Sequence, residues 1–111
     1  MTGREYQIAA MRTSRKDITT DAHLLNGALG LAGEAGEVAD LVKKIMYQDH
    51  PLDWEHIAKE LSDILWYVAE TATAIGYDLD TIMQMNIDKL KKRYPDGFTT
   101  ERSQHREKGD I

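Results

Sequence analysis

The chain has 111 residues, 41% of them hydrophobic and 30% charged, with no cysteine and a formal net charge of −5. That length suits a single domain, and because a chain this short hides little of its surface alone, assembly into a homodimer or homotetramer is expected. The absence of cysteine excludes disulfides and thiolate metal sites, and the acidic balance argues against broad binding to a nucleic-acid polymer.

No run approaches the roughly 18 apolar residues that a membrane span needs, and Met1 to Ala10 lacks the long apolar segment of a secretory leader. The expected setting is the cytoplasm. Apolar residues recur at three- and four-residue spacings through most of the chain, strand-type alternation is absent, and only Pro51 and Pro95 interrupt. The pattern predicts an all-α fold, a compact bundle of about four helices that assembles as an oligomer.

A first helix is predicted from Arg4 to Thr13, then a polar loop from Ser14 to Thr20. Asp21 is the expected N-cap of a long second helix reaching about Gln48, which Asp49, His50 and Pro51 end. Asp53 caps a third helix that runs to Ile75 and stops at Gly76. The fourth starts at Asp78 and ends near Tyr94, since the residue before Pro95 disfavours helical geometry. Residues 1–98 form the predicted domain; Thr99 to Ile111 is polar and reads as a mobile tail or an arm that packs on a partner subunit.

Gly27, Gly30, Gly33 and Gly36 follow one another every three residues in the second helix, each costing about 1 kcal/mol relative to Ala. Either another helix or a ligand approaches the backbone there, or the row is small-residue helix packing.

Two acid pairs, Glu34 with Glu37 and Glu60 with Asp63, sit at i and i+3 on successive helices, where like charges repel unless a cation offsets them. The apolar stripes of those helices are Leu24, Ala28, Leu31, Ala35, Val38 and Val42, and Ile57, Leu61, Ile64, Val68, Ala72 and Ile75. From the centre of its own stripe, each pair lies at about −80° and about −140°. If the helices pack antiparallel through these stripes, the four acids converge at one edge of the interface. All-oxygen ligands suit a hard cation, Mg²⁺ or Mn²⁺. Ordinary solvated acids are the plainer alternative.

Glu-x-x-Glu, 22 intervening residues and Glu-x-x-Asp, set in Gly30-Leu31-Ala32-Gly33-Glu34-Ala35-Gly36-Glu37 and Lys59 to Tyr67, resembles the MazG-like nucleotide pyrophosphohydrolases. Asn86-x-x-Lys89-Leu90-x-x-Arg93-Tyr94-Pro95 is similar to the end of the same domain, and the resemblance covers Tyr6 to Phe98. It implies an α-helical, oligomeric enzyme that converts a nucleoside triphosphate to the monophosphate and pyrophosphate with Mg²⁺ held by Glu34, Glu37, Glu60 and Asp63.

Of the acids, Glu37 or Glu60 is the expected proton acceptor from the attacking water. Asn86, Lys89 and Arg93 line one side of the fourth helix and, with Lys44 and Tyr67, are the expected substrate contacts. Cations near a helix C-terminus also favour the dipole whatever the function. Two rivals remain: a di-iron bundle, which typically needs Glu-x-x-His pairs that neither acid pair supplies, and a non-catalytic nucleotide-binding oligomer acting as a sensor or interaction module. The four histidines show no shared metal spacing and are read as surface or loop residues.

Overall fold

The computed structural model describes residues 1–111 as five helices without a strand: α1 (Gly3–Met11), α2 (Thr20–Tyr47), α3 (Trp54–Ala74), α4 (Leu79–Arg93) and α5 (Thr100–Gln104). No helix is long and apolar enough to cross a membrane. The all-α expectation holds, with α5 added in the polar tail.

The helix ends follow capping chemistry. Thr2 and Glu5 form a reciprocal capping box on α1. The cap of α2 is Thr19, whose hydroxyl accepts from the Ala22 amide at 3.1 Å; Asp21, the expected cap, sits instead in the first turn, where its charge favours the dipole. Asp53 caps α3 as expected by accepting from the His56 amide at 3.0 Å. Gly76, at φ +79°, supplies the left-handed residue that ends the α3 segment.

α2 and α3 form an antiparallel hairpin, and glycines set how closely they approach. A Cβ at Gly27 would run into the hydroxyl of Thr71, and one at Gly30 into the ring of Tyr67. Beside Gly33 and Gly36 there is open space. The two upstream glycines are therefore explained by helix packing, and the two downstream are not.

The expected packing through the apolar stripes is corrected. The α2–α3 seam runs along Gly27, Gly30 and Glu34, while Leu24, Val42, Leu61 and Ile75 of the stripes stand exposed. Steric fit decides this: glycine lets α3 sit against the backbone of α2, and the bulkier leucine and valine positions turn away.

α1 lies across α3 and α4. The Gln7 amide donates to Thr73 Oγ1 at 2.9 Å and the Tyr77 carbonyl at 3.0 Å, and its oxygen accepts from the Leu79 amide at 2.8 Å. Asp80 accepts from the Gly3 and Arg4 amides, both at 3.0 Å, and so closes the start of α1 from α4. Ala10, Ala69, Ala72 and Leu79 form the small buried core, with Tyr6, Met11, Trp66, Val68 and Ile82 against it.

Compactness is also corrected. The Cα radius of gyration is 17.0 Å, against about 13 Å for a compact domain near this length. Four small or medium buried residues cannot draw five helices into a sphere, and the chain stays open. The tail, expected to be mobile or to pack on a partner, turns back on its own α4: Asp110 binds Arg93 through two hydrogen bonds of 2.7 and 2.8 Å.

Candidate metal centre

Because the hairpin is antiparallel, the middle of α2 faces the first half of α3. Glu34, Glu60 and Asp63 offer carboxylate oxygens that all lie within 4.8 Å of one another. Glu60, its side chain only 17% exposed, lies within the seam rather than at the edge expected from the stripes.

Crowded charge leaves a chemical signature there. The Glu34 carboxyl is pushed above its ordinary range, first by its hydrogen bond with the Glu60 side chain, then by burial, then by the charges of Glu60, Asp63 and Glu37. Crowding of this kind disfavours the ionised form of Glu34, and a divalent cation would offset the same repulsion. The donor set fits a hard cation: three oxygen ligands from two helices, with no sulfur.

Glu37 stands one turn beyond the trio, exposed, and acts on Glu34 through its charge without joining the closest group. Lys44 is bound to Asp40 at 2.8 Å, which, with the nearby charge of Glu37, holds its ammonium above the usual range. Tyr67 lies in the seam with its ring against Gly30 and edge-on to Trp66, the ring centres 5.1 Å apart. Trp66 is a packing residue whose indole donates to Thr13 Oγ1 at 2.8 Å and the Ala10 carbonyl at 3.1 Å.

The α4 row belongs to a second electrostatic neighbourhood. Asn86 and Lys89 are exposed, and the Arg93 guanidinium is engaged by Asp110, which raises its pKa further. The charges acting on Glu34 come from Glu60, Asp63 and Glu37, whereas those acting on Arg93 come from Asp110 and Tyr94. The chain therefore brings three of the four expected acids together, while Arg93 is paired with Asp110 of the tail.

Three neighbours escaped the reading of the sequence. His56 Nε2 lies 3.3 Å from Glu60 Oε1, an i,i+4 relation that was legible once the helix was placed. Tyr6 comes from α1, where burial and then the charge of Asp63 raise its hydroxyl pKa; nothing local in the sequence signals that contact. Glu70, two turns beyond Asp63, is 2% exposed and accepts from Asn26 Nδ2 at 2.8 Å, with His23 Nδ1 at 3.1 Å. This pairing ties the start of α2 to the second half of α3 and makes His23 a structural residue rather than a free surface one.

Residues 23–98 match the MazG nucleotide pyrophosphohydrolase domain, and that span contains the whole hairpin and its acids. The chain belongs to the MazG family. It is also 38% identical over 96 residues to the Gene 37 protein of Mycobacterium phage L5, covering 79% of this chain and 84% of that protein. No solved structure matches. The MazG match ends before α5, so the tail that holds Arg93 lies outside the family pattern.

Proposed function

We propose that this MazG protein hydrolyses a nucleoside or deoxynucleoside triphosphate to the monophosphate and pyrophosphate, with Mg²⁺ at Glu34, Glu60 and Asp63. The observation that carries the reading is the convergence of those three carboxylates from two helices, which raises the pKa of Glu34. Family membership supports nucleotide chemistry, and the donor set supports a hard cation, Mn²⁺ serving as a substitute.

A bound Mg²⁺ would offset the charge of the triphosphate and lower the pKa of water at the phosphorus to be attacked. The protein's own part is to hold the trio apart at a fixed spacing. Half-buried in the seam against Glu34 and His56, Glu60 is committed to that work. Glu37, exposed one turn away, is free to accept the proton of the attacking water or to complete the ligand set. Lys44 and Tyr67 flank the acids on the same two helices and take the substrate side, Lys44 by exchanging Asp40 for a phosphate oxygen.

The working form is a homodimer or homotetramer, which would cover the exposed apolar stripes. The reading describes a cytoplasmic enzyme of nucleotide-pool housekeeping. Turnover of a panel of ribo- and deoxynucleoside triphosphates tests it: Mg²⁺-dependent release of pyrophosphate should fall at least a hundredfold in Glu60→Gln with helicity retained. Full activity in that variant overturns the site, and nucleotide binding without turnover by the wild type supports a sensor instead.

A further inference from the structure

The basic side chains of the hairpin are arranged so that almost none of them neutralises the acid trio. α2 and α3 carry three lysines and no arginine. Lys43 and Lys44 pair with Asp40 at 3.3 and 2.8 Å, and Lys59, next to Glu60 in the chain, turns back to Glu55 at 3.4 Å. His56 is the one basic side chain within salt-bridge distance of Glu34, Glu60 or Asp63, its Nε2 lying 3.3 Å from Glu60 Oε1.

The local structure explains why that contact forms. His56 sits in the first turn of α3, where its amide donates to the capping Asp53 at 3.0 Å. His56, Glu60 and Asp63 follow at i, i+4 and i+7 and so share one face of the helix. Side chains of a helix lean toward its N-terminus, so Glu60 tilts toward the turn that carries His56 and away from Asp63. His56 touches Glu60 without joining the group of three acids, and flanks the site rather than entering it. With the imidazole 49% and Glu60 17% exposed, water screens the pair, and as a stabiliser of the helix it contributes little.

We propose that His56 is a positioning residue of the acid site, which fixes Glu60 by donating Nε2–H to Oε1 and so holds that carboxylate in place for a divalent cation. The proposal rests on the reading of Glu34, Glu60 and Asp63 as a cation site. Carboxylates that ligate a metal depend on such outer hydrogen bonds, which restrict the rotations that each ligand would otherwise lose on binding. The residue type matters. A lysine at this position would reach Glu60 but set a permanent positive charge beside the ion, whereas a neutral imidazole orients the carboxylate without competing for it.

Calorimetric titration of the full chain with MnCl₂ at pH 8, without nucleotide, tests this role apart from turnover. His56→Ala should weaken Mn²⁺ binding at least tenfold with helicity unchanged. His56→Gln should recover affinity to within about threefold of wild type, since a glutamine amide spans the same interval: Gln84 donates to Asp88 at 2.8 Å on α4. His56→Lys should bind no better than His56→Ala. Lys59→Gln breaks the neighbouring i,i+4 pair without touching the trio and should bind within about twofold of wild type. Unchanged affinity in His56→Ala, no recovery in His56→Gln, or a loss in Lys59→Gln equal to that in His56→Ala would each overturn the role of His56. Failure of the wild type to bind Mn²⁺ at millimolar concentration would instead overturn the cation site itself, and the role with it.

Discussion

Glu34 carries the clearest electrostatic signature of the proposed metal centre. Its pKa is raised in the fold, so the native protein binds more protons than the unfolded chain as the pH passes above the ordinary carboxylate value of 4.5. The sign follows directly: Glu34 favours the fold below that value, and its contribution is lost as rising pH ionises it. Metal-free protein should therefore melt at lower temperature as pH rises through that window, and Glu34→Gln should flatten the trend. Thermal melts in EDTA between pH 4.5 and 7 check this; a wild type and variant that run parallel would contradict it. In the same window, Mg²⁺ or Mn²⁺ bound at the proposed site would compete with protonation of Glu34, so affinity measured by titration should rise with pH.

Helices are where the sequence was most informative, because three- and four-residue spacing and capping residues are local signals. Asp53, Gly76 and Pro95 marked their boundaries correctly, whereas Thr19 displaced Asp21 because either side chain can cap and only the backbone decides. The acid pairs were legible for the same reason, but the face on which the hairpin packs was not. Periodicity identifies an apolar stripe without saying what covers it, and the close approach at Gly27 and Gly30 overrode hydrophobic matching. Two substitutions separate these glycines. Gly30→Ala should destabilise by about 1–3 kcal/mol by pushing against the Tyr67 ring. Gly33→Ala, facing open space, should stabilise by about 0.5–1 kcal/mol. Urea melts at fixed protein concentration decide, and a destabilising Gly33→Ala would mean that something packs there.

At the scale of the whole molecule, a 17.0 Å radius and apolar side chains such as Leu29 and Leu65 in solvent describe a chain that has not finished burying its surface. Sedimentation equilibrium should return at least twice the 12.6 kDa chain mass, and Leu65→Lys should lower it; a monomer at micromolar concentration would contradict the assembly. Long-range placement is also where the sequence said least: the fold of the tail onto Arg93 depends on Asp110, 17 residues away, with no periodic signal between them.

The central claim concerns which phosphoanhydride bond is cut, and ³¹P nuclear magnetic resonance of a nucleoside triphosphate incubated with the protein and Mg²⁺ reads it directly. The account predicts growth of the monophosphate and pyrophosphate resonances together, abolished by EDTA. Appearance of diphosphate and inorganic phosphate, or an unchanged triphosphate across the whole nucleotide panel, would contradict it.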